Sequence, residues 1–263
     1  MKKKPEQKPE STQMRKSVNQ EKPKDLKVIC IIPARGGSKG YPDKNVKPLM
    51  GQPLLWHTVN CAIKTNQIDK VVVSTDSSQY RDIIDGRFGP GLVPFLRPEK
   101  IAGDHSAVSD AVLYTVDRVE AEMGIKYDIL VLLEPTSPIR TPGQLNEAIT
   151  MLKDSARMRA VVSVVDDRCR HPMDAYELGR SKELRPYGGG HYAPGYRSRQ
   201  ALRPVYFLEG SFYLSYLDTY RETKSFTHEL TIGYEVPGWQ ADEIDYEYDL
   251  VKIEAIMKWR QKS

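Results

Sequence analysis

At 263 residues, with 40% hydrophobic and 28% charged side chains, the chain is long enough for one large α/β domain or two small ones with a sizeable core. Its formal charge of +4 is unevenly placed: residues 1–27 carry nine Lys/Arg against four Asp/Glu, which leaves the remainder near −1 and argues against a nucleic-acid surface on the folded body. No run approaches the ~18 apolar residues of a membrane span and no signal-peptide core precedes residue 27, so the expectation is a cytoplasmic protein without a membrane partner.

The first 25 residues are rich in Lys, Glu, Gln and Pro, cannot bury enough surface to offset their ordering entropy, and are predicted to be a disordered tail. Residues 26–263 then read as one domain. Short β-branched runs at Lys27–Ile32, Lys70–Ser74, Val93–Leu96, Asp128–Leu133 and Ala160–Val165 predict strands. Amphipathic segments near Pro53–Lys64, Ser77–Asp85, Ala107–Glu122 and Pro142–Lys153 predict helices between them, Pro53 and Pro142 suiting a first helical turn. Repeated βα units imply a doubly wound, mostly parallel sheet with ligands bound at the carboxyl ends of its strands. Beyond Val165 the regularity stops. Residues 166–204 are polar, with a Gly188-Gly189-Gly190 tract, and read equally as a mobile lid or an interaction element. Strand patterning returns at Val205–Tyr216 and Leu230–Val236, followed by a closing helix from Tyr246 to Arg260 with one mostly apolar face.

The segment after the first strand carries the sharpest chemistry. Ala34-Arg35-Gly36-Gly37-Ser38-Lys39-Gly40, with Lys44-Asn45 beyond, puts three glycines and three cations in one short loop. Glycines permit close backbone approach and positive φ, so amide N–H groups can face phosphate oxygens while Arg35, Lys39 and Lys44 supply charge. Neither the Walker pattern nor the Gly-x-Gly-x-x-Gly fingerprint is present, so this is a different phosphate loop. Near the C-terminus, Asp242, Glu243, Asp245, Glu247 and Asp249 place five carboxylates in eight residues. Acids favour a helix start, which accounts for Glu247 and Asp249 on structural grounds alone. Hard oxygen ligands of this kind also suit Mg²⁺. Cys30, Cys61 and Cys169 lack metal-ligand spacing; Cys30 and Cys61 lie in apolar runs and read as reduced, buried thiols. His57 and Trp56 fall at core spacing on a helix, and His171 reads as either a sugar contact or an exposed loop residue.

In order along the chain, Ala34-Arg35, Ser38-Lys39-Gly40, Lys44-Asn45, Val73-Ser74-Thr75-Asp76, Leu96-Arg97-Pro98 with Asp104, Leu133 to Arg140, Arg199-Gln200 leading to Gly210, and Ile244-Asp245 with Asp249-Leu250 resemble the motifs of the acylneuraminate cytidylyltransferases. The resemblance spans residues 27 to about 260. It implies a reaction of CTP with a nine-carbon keto-acid sugar, giving the CMP-sugar and pyrophosphate, and a nucleotide-diphospho-sugar-transferase-like fold. Arg35 and Lys39 would then act on the phosphates, and Ala34, Gly36, Gly37, Ser38, Lys44, Asn45 and Arg97 would bind the nucleotide. Glu134, Thr136, Ser137, Arg199 and Gln200 would face the sugar, and Asp245 with Glu243 would hold Mg²⁺ or Mn²⁺. The second ligand could equally be Asp242. The resemblance further implies a homodimer in which residues 166–204 cross to the partner. Positions commonly Gln, Lys, Arg and Asn in this family appear as Glu134, Asp174, Phe207 and Glu209, which points to an acceptor other than plain N-acetylneuraminate. A related transferase for another sugar or nucleotide, or a catalytically silent nucleotide-binding scaffold, are the competing readings.

Overall fold

The computed structural model describes residues 25–37, 40–101, 107–167, 171–189 and 203–262. The expectations for the tail before Asp25 and for Ser38, Lys39, Asp104, Cys169, Arg199 and Gln200 lie outside the described residues. The chain runs β1 (Val28–Pro33), β2 (Pro48–Leu49), β3 (Gln52–Pro53), α1 (Leu54–Ile63), β4 (Lys70–Ser74), α2 (Ser78–Phe88), α3 (Val108–Met123), β5 (Ile129–Leu132), α4 (Pro142–Asp154) and β6 (Ala160–Asp166). It continues through β7 (Tyr176–Leu178), β8 (Leu184–Pro186), β9 (Tyr206–Tyr216), α5 (Leu217–Thr223), β10 (Thr231–Glu235) and α6 (Glu247–Arg260).

Six strands form the main sheet in the order β10-β6-β9-β5-β1-β4. β1 pairs in parallel with β4 and β5, and β10 with β6, whereas β9 runs antiparallel to both β5 and β6. The mostly parallel, doubly wound reading therefore holds, with one reversed strand near the middle. That reversal follows from the chain's path: after β6 it leaves the sheet through the small β7–β8 hairpin and re-enters at the opposite end.

Alternation along β1 decides the two faces. Val28, Cys30 and Ile32 join one apolar cluster with α1 and α4, while Ile29 and Ile31 join another with α3 and α5. All five are fully buried, as a strand covered by helices on both faces must be. Each such side chain contributes on the order of 2 kcal/mol relative to exposure. Cys30 and Cys61 are free and buried; burial pushes the Cys30 thiol up and raises Cys61 to about 11.

Local signals explain most helix ends. Ser77 caps α2 by accepting from the Tyr80 N–H at 3.3 Å. Thr141 caps α4 in a reciprocal box with Gln144, with Pro142 opening the helix. Pro53 sits one residue ahead of α1 instead of inside its first turn. Two expectations need correction. Val93–Leu96 is not a strand: only a Thr75–Leu96 bridge forms, because Pro94 has no N–H to give a ladder. The closing helix α6 buries Ile253 alone, with Leu250 and Met257 packed on a small cluster of Leu49, Leu54 and Ile244, and it leaves Val251 and Trp259 exposed.

Candidate active site

The carboxyl end of β1 delivers the chain into the glycine-cation loop, which is pinned from beneath. The Gly36 N–H donates to Asp76 Oδ1 at 2.9 Å, and the Arg97 guanidinium lies 3.9 Å from the same oxygen. Arg97 is nearly buried, and its pKa is lowered first by burial and then by Arg35, with Asp76 pulling the other way. Its Nε has no partner within the described protein. Gly37 has φ +70°, a left-handed conformation that favours glycine. Asn45 is buried and its side-chain amide donates to the Arg35 carbonyl at 3.4 Å, which fixes the loop's return.

Lys44, in the same helical turn as Asn45, reaches the second half of the site. Its Nζ donates to Asp245 Oδ1 and to the Ile244 carbonyl, each at 3.0 Å. An added Cβ at Gly40 would lie 3.1 Å from the Asp245 carbonyl, so loop and acidic motif are in close contact. Around Asp245 stand three further carboxylates. Glu243 is pushed up to about 7 by burial and by Glu134, Asp245 and Glu209, against the pull of Lys44. Burial also raises Glu134 and Tyr213, Tyr213 lying within reach of the same acids. Asp242 points elsewhere, to Lys252 Nζ at 2.5 Å. Asp249 caps α6 from its first turn, accepting from the Asp245 and Tyr246 N–H groups, as its place at a helix start suggested.

The loop from Glu134 to Ser137 is held by Arg140, to which the sequence reading gave no role. Fully buried, Arg140 donates to the carbonyls of Glu134 and Ser137 and to Thr58 Oγ1 at 3.3 Å. The Thr136 carbonyl accepts from Ile244 N–H at 2.9 Å, which ties this loop to the acidic motif. Ser137 Oγ is buried and has no partner within the described protein. Gly210, at φ +79° where β9 bulges against β6, leaves the space that the Glu243 carboxylate fills. Glu209 folds back on its own turn, accepting from Ser211 N–H at 3.1 Å and Ser211 Oγ at 2.8 Å. A glycine interrupting a strand pattern was the one sequence signal for this turn. His171 is neither exposed nor free: it is buried, Nδ1 accepts from Met173 N–H, and Nε2 meets the Arg203 carbonyl. His57 Nε2 bonds the Leu49 carbonyl, a structural role as expected.

The glycine- and cation-rich loop thus meets the acidic motif, through Lys44 and Asp245, beside the carboxyl end of β1 in a mostly parallel sheet, the edge at which such sheets bind ligands. The comparisons supply the class. The family model described as cytidylyltransferase matches residues 29–257, and the chain belongs to that family. It is 33% identical to an N-acylneuraminate cytidylyltransferase of Streptococcus agalactiae serotype V over 87% of this chain and 52% of that protein, so it spans about half the length of this relative. It is 30% identical to the CMP-N,N'-diacetyllegionaminic acid synthase of Legionella pneumophila over 90% of this chain and 99% of that one. Among solved structures, a CMP:2-keto-3-deoxy-manno-octonic acid synthetase complexed with CTP superposes with TM-score 0.61 at 17% identity, covering 89% of this chain and 99% of that one, a likeness of fold. Among the described residues no helix is long and apolar enough to cross a membrane.

Proposed function

We propose that the protein transfers CMP from CTP to the anomeric hydroxyl of a sialic-acid-like nonulosonate and releases pyrophosphate. The observation that carries this reading is the 3.0 Å contact between Lys44, from the phosphate loop, and Asp245, from the carboxylate cluster, which joins the two halves at one strand edge. The sugar hydroxyl oxygen bonds to the α-phosphorus as the bond to the pyrophosphate oxygen breaks, and the hydroxyl proton passes to solvent water. Little covalent work falls to the protein, so catalysis rests on positioning and charge neutralisation. Arg35 and Lys39 neutralise the departing phosphates, Gly37 and Ser38 offer hydrogen bonds, and Gly36 lets the backbone approach closely while its N–H is held by Asp76. Arg97, with its unpartnered Nε, serves the base, and Asn45 acts by orienting Arg35. Glu134, Thr136, Ser137, Arg199 and Gln200 serve the sugar.

A divalent cation fits the donor set. Asp245 and Glu243 offer hard carboxylate oxygens, Glu243 being pushed up to about 7 first by burial and then by Glu134, Asp245 and Glu209, and Lys44 is the cation bonded to Asp245. Among the described residues no three acidic, His or Cys side chains converge on one point, so most ligands of Mg²⁺ or Mn²⁺ would have to come from phosphate oxygens and water. Asp245 and Glu243 would hold it; Asp242 is engaged by Lys252. When bound, the metal would supply Lewis acidity and charge neutralisation at the phosphates.

The acceptor we favour carries amino or acylamino groups, because Glu134 and Glu209 put negative charge where a plain carboxylate sugar would be repelled. The test is pyrophosphate release from each of four nucleoside triphosphates with a panel of keto-acid sugars and Mg²⁺. Turnover should require CTP, metal and acceptor together. Equal rates with ATP, GTP or UTP would overturn the cytidylyl reading. N-acetylneuraminate emerging tenfold better in kcat/KM than modified acceptors would overturn only the acceptor choice.

The same reading takes the chain as a cytoplasmic homodimer whose contact includes residues 166–204. Within that stretch Leu178, Leu184 and Tyr187 are exposed apolar side chains on and beside the β7–β8 hairpin, which suits burial against a second subunit. Sedimentation should give a dimer at micromolar concentration. A fully active monomer would favour a mobile lid instead.

A further inference from the structure

On the side of the molecule behind the Glu134–Ser137 loop lies a second cavity of about 530 Å³, lined in part by Lys64, Arg87, Trp239, Met257, Arg260 and the buried Arg140. Among the described residues no Asp or Glu lines it. Lys64, Arg87 and Arg260 come from the ends of three different helices, α1, α2 and α6. Among the described residues none of them forms an ion pair with a carboxylate.

Cations at helix C-termini have a plain structural use, since each terminus carries about −0.5 charge. Three such termini amount to roughly −1.5, and three cations exceed that by about 1.5 charges, so the cavity keeps a net positive field. The two arginines are also held in place. Arg87 lies 5.4 Å over the Trp56 ring and Arg260 4.4 Å over the Trp239 ring. A guanidinium held near a ring by cation–π attraction still has N–H groups to offer an oxyanion. Trp239 and Met257 add an apolar wall beside that edge.

We propose that this cavity binds a small phosphate-bearing anion, separately from the glycine-cation loop. Its position ties it to the catalytic edge, because Arg140 lines the cavity and also holds the Glu134 and Ser137 carbonyls, while α6 begins two residues after Asp245.

The chain has three tryptophans, and all three report on this cavity: Trp239 lines it, Trp259 packs edge-on against Trp239 at 6.4 Å, and Trp56 lies beneath Arg87. Tryptophan fluorescence is therefore titrated with inorganic phosphate, pyrophosphate and AMP against KCl of matched ionic strength, a readout that needs no turnover. The expected result is a saturable change with at least one phosphate probe. A response to inorganic phosphate assigns free phosphate, and a response to AMP alone assigns a nucleotide. The double variant Arg87→Gln/Arg260→Gln should weaken that binding about tenfold or more, ~1.4 kcal/mol, while basal turnover stays unchanged. Lys64→Gln alone should weaken it in the same direction and guards against misfolding of the double variant. No saturable change up to about 10 mM, or a response that survives all three substitutions, would overturn the proposal.

Discussion

Asp245→Asn should lower kcat by about 10²-fold or more, roughly 2.7 kcal/mol of transition-state stabilisation, while the protein stays folded. The two halves of that expectation have separate causes. Asp245 has a side chain 63% exposed and among the described residues is ion-paired with Lys44 alone, so its loss costs folding little. In the proposed reaction, by contrast, it is the carboxylate through which loop and metal meet, and an amide removes the charge while keeping the shape. The check is steady-state kinetics at several Mg²⁺ concentrations beside thermal melts. Near-normal turnover at limiting Mg²⁺ would remove Asp245 from the mechanism.

Gly210→Ala is expected to be comparably severe by a different route. The new methyl would occupy the space of the Glu243 carboxylate and stand 2.9 Å from Ser137 Oγ, at a φ of +79° that L side chains rarely adopt. The backbone strain costs about 1–2 kcal/mol, and displacing Glu243 disturbs the proposed metal site, so kcat should fall about 10²-fold. The melting temperature should drop by roughly 4–8 °C, the shift expected for about 2 kcal/mol in a domain of this size. Gly233→Ala provides the contrast, because from the edge strand β10 the atoms nearest its methyl would be those of the Val164 side chain, Cγ2 at 3.1 Å and Cγ1 at 3.6 Å. Equal losses in the two variants would mean that Gly210 matters for packing alone.

The sequence made the sheet and its helices legible because β-branched runs and capping residues act locally. Val28 to Ile32, Ser77 and Thr141 each announce their element within a few positions. It also exposed the phosphate loop and the acidic motif, since glycine and charge are dense in both. What it hid are the long-range relations. Nothing near Tyr206–Tyr216 says that this strand runs antiparallel between β5 and β6, which depends on where the chain re-enters after β6. Arg140 closes the Leu133 to Arg140 motif with no sign of its task, yet it is buried and organises the loop that follows β5 through backbone carbonyls. The choice of Glu243 over Asp242 needed to know which of them Lys252 engages. The apolar face expected of α6 was over-read from spacing alone, for the helix covers only the small cluster around Leu49 and Ile244.

The central claim is that the sugar's anomeric oxygen attacks the α-phosphorus of CTP. The measurement that tests it most directly uses a keto-acid sugar carrying ¹⁸O at the anomeric hydroxyl, with the products weighed by mass spectrometry. The account predicts that the heavy oxygen is retained in the bridge of a CMP-sugar formed in equal amount with pyrophosphate. Loss of the label from that product, or pyrophosphate formed with free CMP and no sugar adduct, would contradict it.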